Sequence, residues 1–141
     1  MAKPPIPDEC NCFALRQAAR YVTQIYERHM AQLHLSAAQF TILVKLDRLP
    51  GSTMLELADS MVMDRTTLVR ALKPLQRDGL IVTAASPTDA RAFVFNLSES
   101  GQSKLEAACI AWQAAQNEFE TGFGRDRAKA LRTELFSVRA A

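Results

Sequence analysis

The feature that most constrains the fold of this chain is a change in the period of its apolar residues after Gly79. Before this residue, apolar side chains recur every three to four positions, which is the spacing of amphipathic helices. After it, the segments LIVTAA and RAFVFNL are rich in β-branched and aromatic residues, and the turn residues SPTDA separate them. Phe93, Phe95 and Leu97 fall on one face of the second segment. The sequence therefore predicts helices, then one β-hairpin, and then helix again from Ser98.

The N-terminal part of the chain divides into an arm and a long helix. Three prolines among the first seven residues predict an extended arm over residues 1–9, because proline lacks an amide donor and fixes φ. From Cys12 to about Leu33, apolar residues recur at helical spacing with charges between them. We expect one long amphipathic helix there.

Capping signals mark the starts of three more helices before the hairpin. Ser36 and Gln39 have the spacing of a capping box, and Thr53 and Glu56 repeat it. Asp64 is the expected N-cap of the fourth helix, whose side chain would satisfy an otherwise unpaired amide of the first turn. The third and fourth helices are joined by a tight turn, which is the arrangement of a helix-turn-helix unit.

The segment after the hairpin predicts two more helices, separated by Gly122 and Gly124. The expected apolar face of the longer one comprises Leu105, Cys109, Trp112, Phe119 and Phe123. The first and last helices of the chain look too exposed and too apolar for a monomer of 141 residues. We therefore expect them to pack on a second copy of the chain.

Composition limits the classes of protein that this chain can belong to, but it does not identify one. With 48% apolar residues, a chain of 141 residues can form one domain with its own core. The formal net charge of +2 does not by itself indicate a nucleic-acid partner. No apolar run is long enough to span a bilayer, and the N-terminal segment lacks a signal-peptide pattern. We expect a cytoplasmic protein with no membrane partner.

The chain lacks the sequence patterns of an enzyme or a metal site. It has no nucleophile with a base, no carboxylate pair in an apolar setting and no glycine-rich phosphate loop. Its three cysteines have no repeated spacing, and His29 and His34 have no ligand spacing with them. We expect no catalytic activity, no cofactor and no bound metal.

The exposed face of the fourth helix is basic. Between Met61 and Arg91 the chain has five basic residues and three acidic ones. A helix fits the major groove of B-DNA, where the first residues of this helix would reach base edges and the later ones would meet phosphates. An ordinary solvated helix face is the alternative interpretation. The candidate DNA-binding residues on this helix are Arg65, Thr66, Thr67, Arg70, Lys73 and Arg77.

Two charged residues near the tip of the hairpin favour the DNA-binding interpretation. Arg91 could enter the adjacent minor groove, and Asp89 could orient it. Pro74 is the unusual residue of the fourth helix, because it removes an amide and is expected to kink or loosen the last turns. Such a kink could tilt the start of the helix relative to the hairpin.

Three motifs resemble successive signatures of the MarR family of winged-helix transcriptional regulators. They are LSAAQFTILVKL, LELADSMVMDRTTLVRALKPLQRDGLI and DARAFVFNLSESG. The resemblance implies one mainly α domain with a small β-hairpin wing, in which residues 36–97 form a winged helix-turn-helix and residues 10–35 and 98–141 form dimerisation helices. It also implies a homodimer on a pseudo-palindromic operator in double-stranded DNA, with repression as the expected sign of regulation.

The resemblance assigns roles to individual residues as well. It places Arg65, Thr66, Thr67 and Arg70 on the recognition helix. Asp89 and Arg91 match the D-x-R pattern of the wing. Where the family often has a second basic residue in that pattern, this chain has Ala90.

A small aromatic or carboxylate effector is the expected regulatory input. In the family the effector site lies where the dimerisation helices meet the winged domain. Each candidate here could equally be a core residue. Arg16 differs in kind, because a cation among apolar neighbours could hold a carboxylate. The candidates are Phe13, Arg16, Phe40, Val44, Cys109 and Trp112.

Oxidation of Cys12 is the alternative input. The segment CNCFALRQAARYVTQIY is similar to the start of the organic-hydroperoxide-sensing branch of the family. In that resemblance Cys12 matches the reactive cysteine and Tyr26 matches a tyrosine that bonds its sulfur. Cys12 could instead be a packing residue or a metal ligand. A disulfide with Cys10 is disfavoured, since residues two apart on a helix point away from each other, so Cys109 or a small thiol is the expected partner.

Overall fold

Residues 2–139 are described by the structure, a computed structural model. Over this range it contains six α-helices and one three-stranded sheet, so the mainly α fold with a small β wing is confirmed. The elements in chain order are α1 Asn11–Met30, α2 Ala37–Arg48, β1 Ser52–Thr53, α3 Met54–Met61, α4 Arg65–Arg77, β2 Ile81–Ala85, β3 Phe93–Leu97, α5 Glu99–Phe123 and α6 Arg125–Phe136. Short 3-10 helices cover Pro7–Glu9 and Ala31–Leu33.

The chain folds as two separately packed units. Residues 30–110 form the winged unit, and the segments on either side of them form the outer unit. The winged unit holds α2, α3, α4, the sheet and the first part of α5. The rest of α5, together with α6 and nearly all of α1, belongs to the outer unit. None of the helices within residues 2–139 is long and apolar enough to cross a membrane.

Leucines from three helices form the core of the winged unit. Leu57 of α3 and Leu68 and Leu72 of α4 are at most 1% exposed, which joins the two helices of the helix-turn-helix. Burying a side chain of this size stabilises the fold by roughly 1.5–3 kcal/mol. Ile42 and Leu43 of α2 are also fully buried. This packing fixes the orientation of α4 and leaves its opposite face in solvent.

The predicted helix starts are confirmed. The Ser36 hydroxyl accepts the Gln39 amide at 3.1 Å, and the Gln39 side chain accepts the Ser36 amide at 3.0 Å, which completes the capping box. At the start of α3, the Thr53 hydroxyl accepts the Glu56 amide at 3.2 Å. These local bonds satisfy amides that a helix cannot pair internally, so they set where each helix begins.

The predicted hairpin is present, and the sheet has one more strand than the sequence predicted. The strands are ordered β1-β3-β2 and are all antiparallel, so Ser52–Thr53 adds a third strand that the sequence pattern did not indicate. Because β3 is central, Val94 lies between Thr53 and Ala84 and is buried. Phe93 shares the predicted face with buried Phe95 and half-buried Leu97, but it is 62% exposed, at the tip end of β3.

The start of α5 is bonded to the end of α4. The Ser98 hydroxyl donates to the Gly79 carbonyl and accepts the Gly101 amide at 3.0 Å. The Ser98 amide donates to the Leu80 carbonyl at 3.0 Å. No side chain fits at Gly101, because an added Cβ would lie 2.0 Å from the Leu80 oxygen. Glycine is therefore required where α5 crosses this backbone.

Two expectations for the C-terminal helices are corrected. Gly122 lies inside α5, and the break falls at Gly124 alone, whose φ of +104° suits only glycine. Cys109 is exposed, while Ala108 and Ala115 are buried. Leu105 is buried and Trp112, Phe119 and Phe123 are half-buried, so Cys109 alone falls outside the predicted apolar face, where Ala108 packs in its place.

Polar contacts join the helices of the outer unit. Arg28 makes two bonds to the Glu118 carboxylate, at 2.9 and 2.7 Å, and His29 Nε2 lies 3.1 Å from the same carboxylate. On the other side, Arg125 and Arg132 of α6 approach Glu120 at 3.4 and 3.5 Å. These contacts hold α1 and α6 to α5.

The outer unit leaves many large apolar side chains in solvent, as the sequence predicts. The prediction of an extended arm over residues 1–9 is partly wrong, because Pro7–Glu9 forms a turn of 3-10 helix. The exposed apolar residues lie on the arm, on α1 and at the C-terminal end. They are Ile6, Phe13, Leu15, Tyr21, Leu131, Leu135, Phe136 and Val138.

Candidate nucleic-acid interface

The predicted DNA-binding face of α4 is accessible along its whole length. Its six candidate residues are all exposed, and the opposite face is buried through Leu68, Leu72 and Leu75. The helix is therefore held by one face and presents the other. The exposed residues are Arg65, Thr66, Thr67, Arg70, Lys73 and Arg77.

Asp64 fixes the start of α4. Its Oδ1 accepts the Thr67 amide at 2.7 Å, and this bond, aided by the charge of Arg70, lowers the pKa of the Asp64 carboxyl. The carboxylate thus stays ionised and caps the helix. The cap leaves the side chains of Arg65 and Thr66 free at the end of the helix, where the backbone carries partial positive charge.

The tip of the wing is held by short-range bonds. The Ser86 hydroxyl lies 3.3 Å from the amides of Thr88 and Asp89, and the Asp89 carboxylate accepts the Arg91 amide at 3.0 Å. The predicted pairing of Asp89 with Arg91 is therefore made through the backbone amide of Arg91. Its guanidinium stays exposed for an external partner.

Arg65 and Arg91 line one cleft of about 440 Å³. The first belongs to the start of α4 and the second to the wing, so basic residues from two separate elements border one space. Phe93 and Phe95 also line the cleft, which makes exposed Phe93 a candidate contact that the sequence pattern missed. Gln76 of α4 donates to Thr83 of β2 at 3.2 Å and holds helix and wing together.

Arg77 is separate from this cleft. Its Nε pairs with the Asp78 carboxylate at 3.1 Å, and it lines a different cavity at the C-terminal end of α4. The helix continues through Pro74 to Arg77, and the Pro74 carbonyl accepts the Asp78 amide at 3.0 Å. Arg77 is therefore the weakest of the six candidates for contact with DNA.

Comparisons with known proteins match this geometry. The MarR family model matches residues 35–93, which hold the helix-turn-helix and most of the wing. A structure of the Mycobacterium tuberculosis transcriptional regulator MosR in complex with DNA is 33% identical, with a TM-score of 0.76 over 92% of this chain and 96% of that one. The chain belongs to the MarR family. Members of this family are DNA-binding transcriptional regulators and are not enzymes.

Three further comparisons match between 69% and 97% of this chain. The transcriptional repressor CouR bound to a 23-mer DNA duplex is 28% identical, with a TM-score of 0.86 and 97% of both chains covered. CouR bound to p-coumaroyl-CoA is 27% identical, with a TM-score of 0.84 over 97% of this chain and 96% of that one. The organic hydroperoxide resistance transcriptional regulator of Bacillus subtilis strain 168 is 28% identical over 97 residues, which are 69% of this chain and 66% of the relative.

The effector-site residues suggested by the MarR resemblance are distributed over both units. In the winged unit, Phe40 is buried, Val44 is half-buried and Cys109 is exposed. In the outer unit, Arg16 is exposed.

Within the outer unit, Phe13 and Trp112 line two different clefts, the first with Tyr21 and the second with Arg132.

The surroundings of Cys12 differ from those that the resemblance to the hydroperoxide-sensing branch of the MarR family implies. Tyr26 donates its hydroxyl proton to Gln116, and burial raises the pKa of that phenol. Tyr26 follows Cys12 by fourteen positions in α1, which is about 21 Å along one helix, so the expected bond cannot form within a chain.

The two N-terminal thiols are in different environments. Cys12 is exposed in the first turn of α1, whereas the half-buried Cys10 precedes the helix and its Sγ accepts the Phe13 amide at 3.4 Å. Cys10 therefore contributes one bond to the first turn of α1. Cys10 and Cys12 are both free, as expected, although Cys10 lies outside the helix, so helical spacing is not what keeps the two thiols apart. Among residues 2–139, no group of three or more His, Cys, Asp or Glu side chains could hold a metal ion.

Proposed function

We propose that this protein is a sequence-specific DNA-binding transcriptional repressor of the cytoplasm. In this proposal it acts as a homodimer on a pseudo-palindromic operator and is released by a small aromatic or carboxylate effector. The observation that carries the proposal is the convergence of Arg65 and Arg91 on one cleft. A basic recognition helix and a basic wing that face one space suit adjacent grooves of one duplex.

Each part of this surface has a distinct role in the proposal. Arg65 and Thr66, at the start of α4, read base edges in the major groove, where arginine pairs best with guanine. Arg70 and Lys73 neutralise phosphates and set the register. Arg91 enters the minor groove, and Asp89 fixes the turn that presents it.

The exposed apolar side chains of the outer unit support the dimer. Tyr21 on α1 and Phe136 at the end of α6 are 65% and 71% exposed, although both are large. Side chains of this kind usually mark an interface when several share a surface. A two-fold dimer would place two copies of α4 about one helical turn of DNA apart, roughly 34–36 Å.

Footprinting on the promoters that flank the coding gene tests the proposal. We expect protection of two half-sites about one helical turn apart, and binding that weakens steeply with salt. Arg20→Ala, an exposed arginine of α1, is the matched control for Arg65→Ala. Failure to bind any of these fragments at low salt, where phosphate contacts are strongest, removes the proposal.

The effector part of the proposal has separate support. CouR, which is similar over 97% of this chain, has been solved with p-coumaroyl-CoA, an aromatic acyl thioester. Titrating the protein–DNA complex with p-coumarate and with p-coumaroyl-CoA tests whether this chain responds to related compounds. Release of DNA that Arg16→Ala abolishes would support the predicted contact, and release unchanged in that variant would refute it.

A thiol switch at Cys12 is the second candidate input. Cys12 is exposed, and the Bacillus subtilis relative is an organic hydroperoxide resistance regulator. Operator binding should then fall with cumene hydroperoxide and recover with reductant in the wild type, but not in Cys12→Ser. Cys10→Ser and Cys109→Ser, with mass spectrometry of the oxidised chain, identify the partner sulfur. A Cys12→Ser protein that still responds rules this candidate out.

A further inference from the structure

The cleft between α4 and the wing lies wholly within the winged unit. Polar and apolar residues line it in equal number, and none of these residues is acidic. Arg65 borders it from the start of α4, and Arg91 borders it from the wing. Among residues 2–139, no carboxylate forms a salt bridge with either guanidinium. The charges of the cleft therefore suit an anionic partner.

Two large apolar side chains of the same cleft are exposed to solvent. Phe93, the first residue of β3, is 62% exposed, and Leu55, in the first turn of α3, is 69% exposed. Single exposed apolar residues are common on protein surfaces, but these two line one cleft together with two unpaired arginines. A partner that fills the cleft must therefore offer both negative charge and apolar surface.

Hydrogen bonds hold the walls of the cleft in the free chain. The Gln76 side chain of α4 donates to the Thr83 hydroxyl of β2 at 3.2 Å, and both residues line the cleft. Phe93 is paired with Ala85 of β2 in the sheet. The helix and the wing are thus joined to each other, so the cleft is formed before a partner binds.

A DNA strand has the required combination of charge and apolar surface. When a helix occupies the major groove and a wing the adjacent minor groove, the sugar–phosphate backbone that separates the two grooves must pass between them. Along this backbone, charged phosphates alternate with deoxyriboses, which expose carbon-bound hydrogens. Arginines pair with the phosphates, and apolar side chains can cover the sugars.

We propose that Phe93 packs on a deoxyribose of the strand that separates these two grooves, and that Leu55 covers a neighbouring sugar from α3. This inference rests on the proposed regulator function. The contacts stabilise the complex on any sequence, because sugars carry no base information. They displace no counterions from the DNA, because neither side chain is charged. Phe93 therefore contributes affinity that depends neither on sequence nor on salt.

Phe93→Ala in the full chain tests this contact by fluorescence anisotropy. The probes are a duplex from the protected promoter region and a scrambled duplex of the same length, each at a series of salt concentrations. We expect binding to both duplexes to weaken about tenfold at every salt concentration, so that the salt slope is unchanged. Phe93→Leu should keep most of the affinity. Val82→Ala, at an exposed valine of β2 that does not line the cleft, should bind as the wild type does.

Hydroxyl-radical footprinting provides a second measurement, because the radical attacks accessible deoxyriboses. At saturating protein, the wild type should protect sugars of the strand between the two grooves, and Phe93→Ala should lose part of this protection. Equal affinity of Phe93→Ala and wild type would overturn the inference, and so would a loss confined to the promoter duplex or a changed salt slope. A wild-type chain that binds neither duplex at low salt removes the regulator proposal itself, so the two failures are distinguishable.

Discussion

The backbone of Gly101 lies so close to the carbonyl oxygen of Leu80 that an added Cβ would approach the oxygen to 2.0 Å. The neighbouring atom is backbone and cannot rotate away. Gly101→Ala should therefore shift α5 or strain the start of β2, and lower the free energy of unfolding by about 2 kcal/mol or more. Urea denaturation followed by circular dichroism measures this difference.

Gly122 offers the matched control for that substitution. It lies in the same helix, and nothing is within 4 Å of the position of its added Cβ. Gly122→Ala should raise the free energy of unfolding by roughly 0.5–1 kcal/mol, because alanine restricts the unfolded chain and favours helix. Equal effects of the two substitutions would contradict the close approach at Gly101.

Val62 is held in the left-handed backbone region, with φ of +52°, and its side chain is 94% exposed. A β-branched residue is strained there, and an exposed side chain gains little packing in return. Val62→Gly should raise the free energy of unfolding by up to about 1 kcal/mol, after allowance for the entropy of glycine. The thermal midpoint reports the change. Val82→Gly, at an exposed valine of β2, should instead lower the thermal midpoint.

Arg65 and Arg70 should respond differently to truncation. Arg65→Ala should reduce operator affinity by about 1–3 kcal/mol and relax the preference at one base pair, since the residue begins the recognition helix. Arg70→Ala should weaken binding to all sequences alike and reduce the salt slope by about one. Fluorescence anisotropy with operator and scrambled duplexes separates the two. Identical profiles for both variants would contradict the division into base and phosphate contacts.

Asp89 should act on DNA binding through the shape of the wing turn. Its carboxylate accepts the Arg91 amide at 3.0 Å, a bond that an asparagine oxygen can also make. Asp89→Asn should therefore retain most of the operator affinity, whereas Asp89→Ala should lose a large part of it. If the two variants lose affinity equally, the charge of Asp89 matters more than its bond to the amide.

Glu118 should make the stability of the outer unit depend on pH. Its bonds to Arg28 and His29 lower the pKa of the carboxyl from 4.5 to about 2. Because the folded state binds the proton less well, the contribution is complete above pH 4.5 and is lost as the pH falls towards 2.

Glu118→Gln should flatten the acid limb of the stability curve over that interval. Glu106→Gln, at an exposed glutamate of α5, should leave it unchanged. Chemical denaturation at a series of pH values gives both curves. An unaltered acid limb in Glu118→Gln would show that the carboxylate contributes nothing in solution.

Local signals in the sequence predicted the helices and their starts. Ser36 with Gln39, Thr53 and Asp64 act on amides within three residues of themselves, so their effect can be derived without knowledge of the tertiary fold. The basic face of α4 was predictable for the same reason, because helical spacing alone separates it from the buried leucines.

Features that depend on distant partners were less predictable. A strand of two residues, Ser52–Thr53, has no period to detect and exists only because β3 pairs with it. Phe93 alternates in step with buried Phe95, but it lies at the tip end of β3 and is exposed. The bond of Tyr26 to Gln116 joins residues ninety positions apart, so no local pattern could indicate it.

Thr53 belongs to two elements at once. Its backbone pairs with Val94 in the sheet, and its hydroxyl caps α3. The wing and the helix-turn-helix therefore share a covalent and hydrogen-bonded joint with no spacer between them. A displacement of β3 would therefore also move the first turn of α3, because the two share Thr53.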